Sequence, residues 1–260
     1  MELLNTPRNG GELSPSLLID YEQSIVDRWN EREGNLTGID CPICLNKGSI
    51  MYIDENGYRR TRDCACLSQR KSLHMMQISG LAKVLDFYTW DLWTSEEPWQ
   101  KSFYDAARDY AENPKGWFLA AGRPGTGKTH LCTAICGDLV RKGLEVRYVI
   151  WREFATKAKS LVMDNEEYQD YVNQYKWTRV LYLDDLFKTK TGERPTPADV
   201  NLAFELLNSR YADPDKLTII STELTVQKLL DIDEATGSRI YEKSKNHYID
   251  LSGKKNWRLR

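Results

Sequence analysis

The residues that most constrain the fold of this chain are Gly122-Arg123-Pro124-Gly125-Thr126-Gly127-Lys128-Thr129, which satisfy G-x-x-x-x-G-K-[ST] at every fixed position. Such a loop works only where a strand delivers the chain to the N-terminus of a helix. Glycines there let the backbone take positive φ and turn its N–H groups toward phosphate oxygens. The helix terminus adds positive partial charge at the same point. The flanks comply, with the apolar run Trp117–Ala121 before the loop and the helical pattern Lys128–Lys142 after it. A chance glycine-rich turn would need neither neighbour, and Gly125 adds a glycine beyond the fixed pattern. The segment from Gly122 through Thr129, continued into His130, is the candidate nucleotide-binding loop. Lys128 can reach the β- and γ-phosphates, and the Thr129 hydroxyl can ligate Mg²⁺. Which triphosphate is bound, and to what end, the loop leaves open.

Short apolar runs alternate with helical stretches after residue 81. Trp117–Ala121, Glu145–Ile150, Arg179–Asp184, Lys216–Ser221 and Tyr248–Leu251 read as strands. Pro98–Asn113, Lys128–Lys142, Arg152–Met163, Pro197–Ala212 and Thr225–Asp231 read as helices. That alternation predicts an α/β fold with a parallel sheet covered by helices. Val180-Leu181-Tyr182-Leu183-Asp184-Asp185 is an apolar strand ending in two carboxylates. Strand-end acids are often merely solvated, but below a P-loop a carboxylate here holds Mg²⁺, usually through water. Asp184 is the candidate for that role, and Asp185 is where a base would polarise the attacking water. Asp is one methylene shorter than Glu, so its reach is poor and slow hydrolysis, suited to a timer or switch, is expected.

Four of the six cysteines fall between residues 41 and 66. Cys41-Pro42-Ile43-Cys44 and Cys64-Ala65-Cys66 flank a hairpin pattern, in which Gly48–Ile53 and Tyr58–Asp63 enclose Asp54-Glu55-Asn56-Gly57. Four thiolates in two short pairs can close a tetrahedral Zn²⁺ site. So small a module has little core, and metal would supply much of its folding free energy. A redox pair or free buried thiols are the alternatives; a second pair across a hairpin favours a closed structural site. Cys132 and Cys136, four apart on the helix after the loop, read as buried core thiols. Ser14 as cap and Pro15 at the first position start an amphipathic helix over Pro15–Arg32, and another helix is expected over Ser68–Ile78. Residues 1–78 thus form a helical, zinc-binding N-terminal module, and residues 79–260 the nucleotide-binding domain, with the boundary near Ser79-Gly80.

Taken together, these residues resemble the AAA+ ATPases that load replicative helicases, the DnaC/DnaI-like helicase loaders of bacteria and their phages. Gly122–Ile135 looks like that family's P-loop with its following Thr-His-Leu and Ala-Ile, and Ser79-Gly80-Leu81 resembles its lead-in. Ile219-Ile220-Ser221-Thr222-Glu223-Leu224 sits where the family carries its sensor strand. Gly237-Ser238-Arg239-Ile240-Tyr241-Glu242 is similar to its arginine-finger segment, and Gly253-Lys254-Lys255-Asn256-Trp257-Arg258 to its C-terminus. The four-cysteine module looks like the N-terminal part of some phage and Gram-positive members.

The likeness spans about residues 79–258 and implies a P-loop AAA+ core with strand order 5-1-4-3-2 and no large C-terminal helical lid. It implies ATP as the triphosphate, beside the Mg²⁺ and Zn²⁺ read from the residues, and adds Arg239 to Lys128 and Asp185 as catalytic residues. Arg239 would act in trans, against the γ-phosphate of a neighbouring subunit; without the motif it would read as a surface helix arginine. Assembly on a hexameric DnaB-type replicative helicase, single-stranded DNA as a second ligand and self-association through the ATPase domain follow from the same likeness. One departure stands out. Better-known members carry Asn where Glu223 stands, and a carboxylate there repels a γ-phosphate unless screened by Mg²⁺ or turned away. Thr222 or Ser221 are therefore alternative sensors.

The net charge is −2, so nucleic-acid binding would need a local basic patch. Two patches qualify: Tyr58–Lys71, and the tail Ser252–Arg260 with Lys254, Lys255, Arg258 and Arg260. Each reads equally as a solvated face. Trp90, Trp93 and Trp99 read as core or as cover for the start of the ATPase domain, with a partner surface as the minority reading. The helix Pro15–Arg32 either docks on a helicase subunit or packs within the chain. No apolar run nears the ~20 residues of a bilayer span, and the opening MELLNTPRNGGELSP lacks a basic patch followed by an apolar stretch. With its thiols reduced, a cytoplasmic protein without membrane contact is expected. Two rival functions remain. An IstB-like transposition ATPase would share the core, act on duplex DNA with a transposase, and is not expected to carry the four-cysteine module. A non-hydrolysing nucleotide-bound adaptor would use ATP only to stabilise its fold. A small-molecule kinase would need a substrate pocket and lid that the sequence does not display.

Overall fold

The computed structural model describes residues 15–78, 85, 87–189 and 193–259. The chain divides into two compact units, Met1–Arg70 and Lys71–Arg260. The expected seam at Ser79-Gly80, the cap Ser14, Leu81 and the terminal Arg260 lie outside the described residues. The division between the two units falls within a helix, Cys66–Ile78.

In the first unit, helix α1 (Pro15–Asn30) leads to an antiparallel hairpin of β1 (Ser49–Ile53) and β2 (Arg59–Asp63). Helix α1 stops short of Arg32 where the Asn30 amide pins the hairpin: Nδ2 donates to the Met51 carbonyl at 2.9 Å, and Oδ1 accepts the Met51 N–H at 3.0 Å. The turn follows its sequence signal, with Gly57 at φ 81° and the Asp54 carboxylate accepting the N–H groups of Asn56 and Tyr58. Helix α2 (Cys66–Ile78) follows. The basic run is largely engaged. Arg59 pairs with Glu22 at 2.7 Å, Arg60 with Asp54 at 2.9 Å, and Arg62 lies over the Tyr52 ring. Arg70 clasps the chain on both sides of the first cysteine pair, donating to Thr37 and Ile39 before it and to Asn46 after it.

The second unit is built on a five-stranded sheet in the order β4-β5-β6-β3-β7. Its strands are β3 (Trp117–Gly122), β4 (Val146–Ile150), β5 (Val180–Asp184), β6 (Leu217–Thr222) and β7 (Tyr248–Leu251). Every neighbouring pair is parallel. Counted along this sheet alone, that is the expected 5-1-4-3-2. Every residue of β3, β5 and β6 is buried, as happens when helices cover both faces of a parallel sheet. Side chains alternate between two cores. Phe118, Tyr182 and Ile219 meet Phe103 of α3 (Pro98–Glu112) and Ile135 of α4 (Lys128–Arg141). Trp117, Leu119 and Ile220 meet the other layer: α5 (Trp151–Ser160), α6 (Asn165–Trp177), α7 (Pro197–Tyr211), α8 (Val226–Ile232) and α9 (Glu234–Ser244). Cys132 and Cys136 are fully buried in the first core, as expected of packing thiols.

Two of these helices escape the periodicity. The sequence NEEYQDYVNQYKW of α6 fully buries little beyond Val172, so its apolar stripe is thin; its start is set by the Asp164 carboxylate, which accepts the Glu167 N–H at 3.0 Å. Asp233 alone separates α8 from α9, and its carboxylate caps α9 by accepting the Thr236 N–H at 2.7 Å. Among the described residues no helix is long and apolar enough to cross a membrane.

Candidate functional site

β3 delivers the chain to the loop, and α4 begins at Lys128. Gly125 and Gly127 have φ of 76° and 83°. A Cβ would meet the Asn256 side chain at 1.8 Å and the Trp93 ring at 2.4 Å, respectively. These glycines therefore serve both the left-handed turn and a close approach from outside the loop. Lys128 is buried, and its Nζ donates to the carbonyls of Gly122 at 2.7 Å and Arg123 at 2.8 Å. Burial pushes its pKa down, against the pull of Glu223 and Asp185.

Four hydroxyls converge on the buried Asp184 carboxylate: Tyr182 at 2.8 Å, Tyr148 at 3.1 Å, Thr129 at 3.3 Å, and Ser221. Burial, then the Asp184 charge, pushes both tyrosine pKa values up, so the phenols remain donors. Thr129 and Asp184 thus offer oxygen ligands side by side, the donor set that suits Mg²⁺. Asp185 takes φ 57° at the strand end, with its N–H on Ser221 Oγ at 2.9 Å. Its carboxylate meets Lys188 Nζ at 2.9 Å, and the same ammonium meets Glu223 at 2.8 Å. Burial lowers the Lys188 pKa, but the bonds to Glu223 and Asp185 outweigh it and leave the ammonium above its usual value.

Lys188 was not a sequence candidate, and it answers the problem posed by Glu223: the unusual carboxylate is matched by a cation from the segment after β5. Glu223 lines the cleft. Thr222 instead binds the Leu186 carbonyl and the Leu224 N–H, and Ser221 is committed to Asp184 and Asp185.

Lys128, Thr129, Asp185, Lys188 and Glu223 line a cleft of about 380 Å³ together with Tyr88, Trp93, Trp257 and Arg258, a size within the usual range of small-molecule sites. Trp93 therefore covers the nucleotide loop, in keeping with the reading of that tryptophan cluster. His130 lies in the wall, with Nε2 2.8 Å from the Thr89 carbonyl and its ring stacked on Tyr88. Burial pushes its pKa down, against the pull of the Thr89 hydrogen bond. Arg239 does not line this cleft. Its guanidinium sits over Phe204 and Tyr211 and donates to the Ala235 carbonyl at 2.6 Å.

The cysteine sulfurs of Cys41, Cys44, Cys64 and Cys66 lie within 4.8 Å of one another. Cys41–Cys64 and Cys44–Cys66 are 3.7 and 3.5 Å apart, while a tetrahedral zinc with bonds near 2.3 Å implies edges of about 3.8 Å. Leu45 and Asn46 take positive φ after the first pair, and the Gly48 N–H points at Cys44 Sγ at 3.3 Å. Burial pushes the Cys64 and Cys66 thiols up. It opposes the Cys44 thiolate too, but the Gly48 N–H and the neighbouring thiols outweigh it and hold that group at about 6. The cluster fits a structural metal in both spacing and chemistry.

The sequence profile described as IstB-like ATP binding protein matches residues 47–235. The chain belongs to the IstB-like ATP-binding family. Among relatives of this family member, the Phage-like element PBSX protein XkdC of Bacillus subtilis is 28% identical over 85% of this chain and 85% of its own length. The replicative helicase loader DnaC of Buchnera aphidicola subsp. Baizongia pistaciae is 26% identical over 47% of this chain and 53% of its own length. The crystal structure of a DnaC helicase loader aligns with a TM-score of 0.55 at 24% identity, covering 66% of this chain and 99% of that one. This IstB-like protein therefore has the AAA+ fold of that class.

Proposed function

We propose that this ATP-binding protein is a slow ATPase that loads a replicative DnaB-type helicase onto single-stranded DNA. The observation that carries the ATPase reading is the convergence of Lys128, Thr129, Asp184, Asp185, Lys188 and Glu223 at one end of the sheet. Lys128 exchanges its two loop carbonyls for the β- and γ-phosphates. Thr129 and Asp184 hold Mg²⁺, which when bound neutralises charge on the phosphates. Asp185 polarises the attacking water, and Lys188 both orients it and keeps Glu223 from repelling the γ-phosphate. Zn²⁺ is held by Cys41, Cys44, Cys64 and Cys66.

Asp185→Asn is expected to retain ATP affinity and to slow turnover about a hundredfold, read as single-turnover hydrolysis beside calorimetric binding; unchanged turnover removes Asp185 from the base role. Arg239 acts in trans on a neighbouring subunit in this reading, a role that draws on the likeness of Gly237–Glu242 to the arginine-finger segment of helicase loaders. Arg239→Ala should bind nucleotide normally and lose assembly-stimulated hydrolysis, and mixing it with Lys128→Ala should restore part of the activity. No rescue at any ratio counts against a finger in trans.

The helicase assignment draws on the helicase-loader relatives and on the four-cysteine module. Its test is co-purification with the cognate replicative helicase, with and without MgATP; no association in either state sinks it. The family profile favours one second reading, a transposition ATPase. That reading predicts ATP-dependent filaments on duplex DNA and no helicase complex.

A further inference from the structure

The basic tail after β7 was a candidate for DNA or for a bare solvated face. In the structure it lies on the phosphate-binding loop. The Trp257 N–H donates to the Gly125 carbonyl at 2.8 Å. The Asn256 side chain occupies the place a Cβ on Gly125 would take and accepts the Arg258 N–H at 3.0 Å. Lys255 stands 3.5 Å from Glu97, the cap of α3. Trp257 and Arg258, thus pinned, line the nucleotide cleft.

The charges of that cleft decide what Arg258 is for. Among the described residues lining it, Lys128 and Lys188 are balanced by Asp185 and Glu223, and His130 spends its Nε2 on the Thr89 carbonyl. Arg258 supplies the remaining net positive charge, and its side chain is exposed. Beyond the loop amides and the helix terminus, such an excess attracts a polyanionic ligand and offsets part of the cost of desolvating its phosphates.

We infer that Trp257 and Arg258 are nucleotide-contacting residues, the guanidinium taking phosphate oxygens and the indole packing on the nucleoside. The segment Gly253–Leu259 is then a wall of the site, tied through Asn256 to the loop that holds the phosphates. This rests on the ATP-binding reading and adds to it a ligand set from outside the motif.

The test is calorimetry of the full-length chain with MgATP and MgADP. Arg258→Ala should weaken MgATP binding about tenfold, the worth of one charge-assisted hydrogen bond. Arg258→Lys should recover part of the loss. Trp257→Ala should weaken ATP and ADP alike, and Trp257→Phe should restore both. If Trp257→Ala destabilises the chain, the exposed Arg258 still decides the matter. Arg258→Ala binding MgATP with wild-type affinity overturns the inference and leaves the ATPase reading standing. Wild-type protein that binds no nucleotide overturns both.

Discussion

With zinc in the four-cysteine cluster as proposed, chelation, or replacing Cys44 by Ser, is expected to unfold the first unit while the nucleotide-binding unit keeps its melting transition. The reason lies in what packs there. The buried cluster consists of Cys41, Cys44, Cys64 and Cys66, with Ile50 set against it. The β2 strand is exposed along its whole length. So little apolar burial cannot offset the chain entropy of ordering a module this size. Structural zinc in comparably small domains contributes on the order of 10–16 kcal/mol of apparent binding free energy, and that free energy is folding free energy. Elemental analysis should give one zinc per chain. After chelation, limited proteolysis should open the hairpin between Asp54 and Tyr58 first. A protease-resistant module free of metal would refute the cluster as a structural site.

Arg210→Met should be the most damaging single change in the nucleotide-binding unit. The Arg210 guanidinium is fully buried, and it donates to backbone carbonyls at the end of α6 and beyond: Tyr175 at 3.0 Å, Lys176 at 3.2 Å and Thr178 at 2.8 Å. It also reaches the Leu217 carbonyl at 2.6 Å and Thr218 Oγ1 at 3.0 Å. The last carbonyls of a helix have no partner within it, and here a single arginine from α7 caps them while tying β5 to β6. Burial pulls its pKa down to about 9, so it stays charged at neutral pH. Methionine fills the volume and leaves the carbonyls unmet, at a cost of about 3–5 kcal/mol. For a unit of this size that lowers the melting temperature by roughly 10 °C. Arg210→Lys should recover only part, since one ammonium cannot span the same acceptors. A melting temperature within about 2 °C of wild type would show that water or backbone adjustment serves these carbonyls.

The two cases differ in how visible they are from sequence. The cysteine pairs announce themselves through spacing and a hairpin signal, because metal ligands must sit close along the chain on each side of the turn. Arg210 is one arginine in PADVNLAFELLNSRY, on a helix whose charged residues are otherwise solvent-facing candidates. Nothing local distinguishes it, since all of its partners, five backbone carbonyls and the Thr218 hydroxyl, lie outside its own helix. The helices α6 and α9 were missed for a related reason. One carries only a thin buried stripe, and the other begins at an aspartate that also ends its predecessor.

The phosphate loop, the strand-end pair Asp184-Asp185, the parallel sheet and the four-thiol cluster were all legible in the order of residues. Each rests on short-range geometry: a glycine's φ, a strand's alternation, or the reach between two cysteines. The partner of Glu223, the aromatic wall of Tyr88 and Trp93, and the tail carrying Trp257 and Arg258 emerged only on folding. They join residues far apart in the chain, and the side-chain contacts that unite them exist only after the sheet has brought its strand ends to one edge.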